Sequence, residues 1–337
     1  MSKRILITGA GGFIGGYLVS EALNRGYETW AAVRKSTSRE FLTDTRINFV
    51  ELDFTDTQQL QTGLKETIQQ IGGKWDYVIH NLGATKCTNF NDFKTINYIY
   101  LTRLVDTLTA LDAMPEKLLF MSSLSAMGAV DETNYSPITI HSIPSPNTRY
   151  GLSKMQAEMY LMRHPSCPYI IFRCTGVYGP HERDYFMMMN SINRGVDFSV
   201  GLKKQLLTFI YVKDLATAAI DALERSQVRS TYIISEPQSY SQTEFRKIVA
   251  EKLNKRFVLP VKAPLWLLYI VCLIAELWGT ITLKPATLNR DKYKILRQRN
   301  WDCDVSEAIA GFGFRPRYSL KDGVSESIDW YKENHWL

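Results

Sequence analysis

The sequence predicts an α/β protein: a doubly wound parallel sheet followed by a smaller α/β C-terminal domain. Three observations predict it. Over the first 175 residues, short β-branched runs alternate with amphipathic helical stretches, the pattern of a parallel sheet covered on both faces. A glycine-rich turn follows the first of these runs directly and opens a helix. From Gly179 onward the alternation loosens, and short strands sit irregularly between helices.

Strands are expected at 4–8, 29–33, 48–52, 77–80, 118–122 and 169–173, where runs such as ILIT, YVIH and YIIFR are apolar without alternation. Helices are expected at 13–25, 57–70, 90–111 and 148–163. Beyond 179, strands are expected at 209–212 and 231–234, and Ser241 with Glu244 reads as a capping box that starts a helix. The division follows: 1–178 mainly the doubly wound domain, 179–337 mainly the smaller domain, with some later strands returning to the first.

Composition narrows the function classes. The chain has 337 residues, 45% hydrophobic and 22% charged, enough for a substantial core. A net charge of +6 with scattered basic residues and no aromatic–basic motif argues against nucleic acid as a partner. Five cysteines without a CxxC pair, and five histidines without i, i+4 pairing, give no reason to expect a disulfide framework or a metal site. Such cysteine usage fits a reducing, cytoplasmic setting, and a strand at the very start leaves no room for a signal peptide.

The segment ILITGAGGFIGGYL carries the first chemistry. Thr8, Gly9, Gly12 and Gly15 stand between strand and helix, with Phe13 and Ile14 opening the helix. Glycines let the backbone approach a pyrophosphate, and the helix start offers free N–H groups to its charge. This GxxGxxG spacing, with Thr before the first glycine, resembles the extended branch of the short-chain dehydrogenase/reductase superfamily, the NAD-dependent epimerase/dehydratase family. The resemblance implies a Rossmann-type first domain that binds a nicotinamide dinucleotide and a substrate-binding second domain. It places Asp53 and Phe54 beside the adenine, Leu82, Gly83 and Ala84 along the cofactor, and Asn97 as a structural and proton-relay residue. Val177, in TGVYGP, belongs to the same cofactor set. At the end of the second strand, where NAD sites carry a carboxylate, this chain has Arg34 and Lys35. Guanidinium and ammonium groups there attract a 2′-phosphate, so NADP(H) is favoured, with NAD(H) the other option.

Tyr150 and Lys154 are four apart at the start of a helix and so share a face. A phenol is a weak acid–base near neutrality, and an adjacent lysine cation is expected to lower its pKa. Three serines compete upstream for the third role: Ser122, Ser123 and Ser125. The family spacing, counted back from Gly128, selects Ser123, with Ser125 second. Glu158, one turn beyond Lys154, reads as structural. Ser125, Thr85 and Tyr185 are candidate substrate contacts.

The resemblance leaves two enzyme classes. Nucleotide-sugar 4-epimerases of this family often carry an Asn where this chain has Gly176, and an Arg where it has Leu207; Lys203, Lys204 and Arg183 are possible substitutes. The absence of those diphosphate partners favours the 3β-hydroxysteroid dehydrogenase-like and dihydroflavonol reductase-like branch. The expected reaction is interconversion of a ketone and a secondary alcohol on a hydrophobic substrate of sterol or keto-sphingolipid type. A sugar epimerase is the alternative enzyme, and a non-catalytic cofactor sensor the alternative of another class.

One stretch stands apart. LWLLYIVCLIA, 265–275, is eleven apolar residues in a row. It is too short to span a bilayer, and Glu276 ends it. The two remaining readings are a core helix and a pocket wall that also rests on a membrane through 264–281, the second being preferred. Trp266, Tyr269 and Trp278 suit an interface, and Lys284, Arg290 and Lys292 suit anionic headgroups. The tail, NWDCDVSEAIAGFGFRPRYSLKDGVSESIDWYKENHWL, resembles the closing segment of the same branch. Gly313 and Pro316 make a turn there, and Trp330, Tyr331 and Trp336 read as packing residues. Relatives commonly dimerise through the helices expected at 90–111 and 148–163.

Overall fold

The unbroken apolar runs of the first half form strands buried on both faces. The computed structural model describes residues 2–87, 89–128, 130–282 and 288–337. Its first half runs β1 (Arg4–Thr8), α1 (Phe13–Asn24), β2 (Glu28–Val33), β3 (Asn48–Glu51), α2 (Thr57–Gln70), β4 (Tyr77–His80) and α3 (Phe90–Lys94). A π-helical turn (Thr95–Ile99) leads into α4 (Tyr100–Ala110), then β5 (Lys117–Ser123), α5 (Arg149–Arg163) and β6 (Tyr169–Cys174). The second half adds β7 (Gly176–Tyr178), α6 (Arg183–Asn193), β8 (Val196–Val200), β9 (Phe209–Tyr211), α7 (Val212–Arg225) and β10 (Ser230–Ile234). It ends with α8 (Gln242–Lys252), β11 (Leu259–Ala263), α9 (Leu265–Thr282), α10 (Arg290–Arg297), α11 (Ser306–Phe312) and α12 (Leu320–Glu333).

Seven parallel strands form the main sheet in the order β10-β6-β5-β4-β1-β2-β3. Strand alternation sends Ile5, Ile7, Leu119 and Met121 to one face, and Leu6, Leu118 and Phe120 to the other. Each such fully buried side chain contributes about 1.5–3 kcal/mol, so both faces need a helical cover. On the first face α7 packs on α1 and brings Ala216, Ala218, Ala219 and Ala222, whose small side chains permit close approach. The order reverses between β1 and β4, and a crevice opens at their carboxyl ends.

The smaller part has its own aromatic core, including Tyr178, Phe209, Tyr211, Phe245 and Tyr331. Tyr331 stacks on Trp336 with ring centroids 5.7 Å apart, and Trp330 packs against the same cluster. Gly313, at φ +77°, ends α11 in the left-handed conformation that favours glycine. The Ser241–Glu244 capping box is present at the start of α8.

Two expectations need correction. The single helix expected at 90–111 is α3 and α4 joined by the π-helical turn, whose wider winding sets Asn97 fully inside. The stretch 265–275 is not a buried core helix: in α9, Leu268 and Cys272 are buried, with Leu268 on the cavity wall, while most of the other apolar side chains are exposed. Lys284 lies outside the described residues. No helix among the described residues is long and apolar enough to cross a membrane.

Candidate active site

The carboxyl ends of the central strands open into a cavity of about 1260 Å³ that continues between the sheet and the smaller part. Its inner end is a glycine cradle. Gly9 has φ +66°, and a Cβ there would lie 2.8 Å from the Leu82 backbone nitrogen. A Cβ on Gly15 would lie 2.1 Å from the Gly9 carbonyl oxygen, so only glycine lets α1 start this close to the loop. Gly12 caps α1 without a side-chain hydrogen bond, and no acidic residue occupies the first turn. The helix start therefore keeps N–H groups for an anion, and Gly9, Gly12, Phe13 and Ile14 all line the cavity. These residues fit the pyrophosphate of a dinucleotide; Gly15 acts behind them through packing. Gly15→Ala is expected to lower dinucleotide affinity about 10- to 100-fold, the cost of an overpacked contact. Fluorescence titration with NADPH and NADH measures it, and an unchanged Kd would show that the close approach is dispensable.

Neighbouring strand ends hold this cradle in place. His80 is fully buried, with Nδ1 3.0 Å from the Thr8 hydroxyl oxygen, and burial pushes its pKa down to about 3, so it is neutral. The Leu82 amide donates to the same Thr8 oxygen at 3.3 Å. Leu82, Gly83, Ala84 and Thr85 then run along the cavity wall. Asn97 is not on that wall. Its side chain accepts from the Ala84 amide at 2.8 Å and donates to the Ala84 carbonyl and the Ser153 hydroxyl, both at 3.0 Å. It pins the loop that lines the cavity. Gly83 is confined as well, because a Cβ there would lie 3.0 Å from Asn97 Oδ1 and 3.1 Å from Lys154 Nζ.

At the far end of this region Arg34, Ser36, Thr37 and Ser38 line the cavity, while Lys35 does not. The Arg34 amide donates to the Thr37 hydroxyl at 3.0 Å and shapes the turn. Phe54 lines the wall, but Asp53 stands outside it. The Asp53 carboxylate instead accepts from the Thr55 amide at 2.8 Å and the Thr55 hydroxyl at 2.7 Å.

Tyr150, Lys154 and Ser123 meet at the middle of the cavity, and Val177 borders it. Thr148 caps α5 by accepting from the Gly151 amide at 2.9 Å, and Asp291 of α10 accepts from the Arg149 amide at 2.8 Å. Two acceptors thus fix the helix start that carries Tyr150. Burial pushes the Tyr150 phenol up to about 12, and the Ser123 hydroxyl facing it acts in the opposite direction. Burial also lowers Lys154 to about 8. Its ammonium donates to the Met121 carbonyl at 2.7 Å and lies 4.8 Å from the Phe120 ring centre. The expected lowering of the phenol by Lys154 is therefore not what this geometry shows, since desolvation dominates both groups.

The three serines separate clearly. Ser122, in step with Leu118 and Phe120, donates to the Glu158 carboxylate at 2.5 Å. Glu158 also accepts from Arg173 at 2.8 Å in a buried ion pair. Ser123 faces the phenol, and its oxygen accepts from the Ser125 amide at 3.2 Å. Ser125, Thr85 and Tyr185 all line the cavity.

Several cavity residues escaped the sequence reading, and Lys292, expected at anionic headgroups, stands in the cavity instead. Lys86 and Lys292 flank Asp184 inside the cavity, at 2.5 Å and 3.3 Å, although more than 100 positions separate the two lysines. Met187, Met188 and Phe198 line the substrate end. Only the run FMMM gave a local hint, since methionine suits irregular apolar walls.

The sequence model of the NAD dependent epimerase/dehydratase family matches residues 5–235. This chain belongs to that family. It is an enzyme of the extended short-chain dehydrogenase/reductase type, with the family's Rossmann-type sheet. The UDP-glucose 4-epimerase of Vibrio cholerae is 24% identical over 337 residues, covering 97% of this chain and 95% of its own. The ceramide reductase of Caulobacter vibrioides is 22% identical over 335 residues, covering 99% and 96%. The solved UDP-glucose 4-epimerase of Thermus thermophilus, a complex with NAD, superposes with a TM-score of 0.75 at 18% identity, covering 98% of this chain and 99% of its own. An epimerase and a lipid reductase of this family lie at similar distances, so the substrate has to be read from the cavity.

Proposed function

We propose that this family member is an NADPH-dependent oxidoreductase that interconverts a ketone and a secondary alcohol on a lipid-like substrate, of sterol or keto-sphingolipid type. The observation that carries this reading is the space beside Gly176. A Cβ there would lie 2.0 Å from the Tyr185 hydroxyl oxygen, so the Tyr185 side chain takes the space that an Asn of the nucleotide-sugar pattern would use. Leu207, in place of the expected arginine, adds another apolar wall to the cavity. Arg183 instead lies 6.0 Å from the Trp336 ring centre, and Lys203 and Lys204 are exposed; none of the three lines the cavity. Of the lysines that do, Lys154 stands with Tyr150, while Lys86 and Lys292 share the charge of Asp184. A diphosphate needs a denser set of donors.

The residues divide the work accordingly. A reduced nicotinamide held between the glycine cradle and Lys154 would supply the hydride for a carbonyl carbon. Tyr150 gives its proton to the carbonyl oxygen, and Ser123 holds that oxygen by a hydrogen bond. Lys154, held between Met121 and Gly83, would hold the nicotinamide ribose beside the phenol. In the reverse direction Tyr150 takes the proton back.

Following NADPH and NADH oxidation over keto-sphingolipids, keto-sterols and UDP-sugars tests the reading. Turnover of a keto-lipid supports it; binding of a UDP-sugar without turnover of any keto-lipid would reverse it in favour of the epimerase. Arg34→Ala is expected to raise the KM for NADPH about tenfold and leave that for NADH nearly unchanged, since only the 2′-phosphate loses a partner. Equal effects on both cofactors would assign Arg34 to the adenine alone.

A further inference from the structure

α9 is apolar on every side, but the fold uses only one stripe of it. Leu268, Cys272 and Gly279 are buried along one line of the helix. Trp266, Ile270, Ile274, Leu277, Trp278 and Ile281 stay between 44% and 67% exposed. At about 100° per residue, these six cover an arc of about 120° centred roughly opposite the buried line. A soluble monomer rarely leaves so large an apolar stripe in water, and tryptophans at both ends are typical of a membrane–water boundary.

The strand pair leading into α9 also carries exposed apolar side chains. β8 and β11 run parallel with Val196 opposite Leu259 and Phe198 opposite Val261, so one face of the ribbon is apolar. Phe198 is 63% exposed and Leu259 49% exposed. Leu202 and Phe257, still more exposed, stand beyond the two strands, and their sequence neighbours are cations: Lys203 and Lys204 after the first, Lys255 and Arg256 before the second. These four are exposed and form no ion pair among the described residues. Apolar side chains interleaved with exposed cations complement an anionic lipid surface. With 18 described residues α9 rises about 27 Å, short of the roughly 30 Å hydrocarbon core, and no helix among the described residues is long and apolar enough to cross a membrane.

The same helix borders the cavity. Leu268, on its buried line, and Ala263 and Phe198 from the ribbon all line the substrate end. Behind α9, Glu276 pairs with Arg290 at 2.7 Å, and the neighbouring Asp291 holds the start of the catalytic helix. We propose that α9 and the β8–β11 face dock flat on an anionic bilayer and present the substrate end of the cavity to it, so that a lipid ketone enters from the membrane. The entry route rests on the reductase reading above; the docking does not.

Flotation of the full chain with vesicles tests the docking without any substrate. Phosphatidylcholine vesicles and phosphatidylcholine–phosphatidylglycerol vesicles at 3:1 are compared for wild type, for the triple variant Trp266→Ser, Ile274→Ser, Trp278→Ser, and for Lys203→Glu, Lys204→Glu. Wild type is expected to float with the anionic vesicles. The triple variant should bind at least tenfold more weakly, and the charge variant should lose the preference for phosphatidylglycerol. All altered side chains are exposed, and unchanged melting and NADPH binding verify the fold. Wild type remaining unbound with both vesicles would overturn the proposal, as would a triple variant that floats like wild type. Wild type that ignores vesicles but sediments as a dimer, which the triple variant dissociates, would assign the surface to a second copy. Because no ketone is present, a failure here leaves the reductase reading standing, and a failed ketone panel leaves the docking result standing.

Discussion

Tyr150→Phe is expected to lower turnover about 10³-fold while leaving melting temperature and dinucleotide binding close to wild type. The phenol hydroxyl is the only group removed, and loss of a positioned general acid costs about 10²–10⁴ in rate. The pH profile separates its role from that of Lys154. With the phenol held near 12, Tyr150 is fully protonated throughout the neutral range, so reduction does not lose its proton donor there. Lys154, lowered to about 8 by burial, loses its charge as pH rises through that value. The alkaline fall in kcat/KM for reduction is therefore expected near pH 8. An alkaline limb appearing only above pH 10 would assign it to the phenol and contradict this geometry. Lys154 also has a stability signature. Its folded pKa lies below the unfolded value near 10.5, so the unfolded chain binds more protons between about pH 8 and 10.5, and stability should rise with pH across that window.

The second large effect is structural and lies one helical turn away. Glu158→Ala is expected to destabilise the fold by about 3–5 kcal/mol, because it leaves the buried Arg173 cation without its counter-charge and Ser122 without its acceptor. For a chain of this length that corresponds to a fall in melting temperature on the order of 10 °C. Arg173 has no slack to absorb the loss, since its Nη1 is already buried without a partner among the described residues. Replacing both members, as Glu158→Leu with Arg173→Met, should recover most of the stability, because no charge is then stranded. A single variant that melts within about a degree of wild type would show that water reaches the guanidinium.

Much of the site was legible in local sequence because its geometry is local. A glycine loop between strand and helix has one workable path, and that path puts Gly9, Gly12 and Phe13 at the crevice wherever the rest of the chain goes. The pair Tyr150–Lys154 is likewise set by helical periodicity alone. The choice among serines was less direct. Ser122 and Ser123 differ by one residue, and only pairing of β5 with its neighbours decides that Ser122 turns to Glu158 while Ser123 turns to the phenol.

Short-range periodicity and glycine sterics were enough for the doubly wound sheet, the dinucleotide cradle and the Tyr150–Lys154 pair, and family spacing pointed to Ser123. The tertiary structure alone decided the rest. Desolvation, not Lys154, governs the Tyr150 phenol, because burial is a property of the whole cavity. Asp184 gathers Lys86 and Lys292 from distant segments, and Asp291 reaches the start of the catalytic helix from α10. The apolar stretch at 265–275 looked the same on every side in sequence. Only its packing, which covers Leu268 and Cys272 and leaves Trp266, Ile270 and Ile274 in the open, separates the side that faces the cavity from the side left exposed.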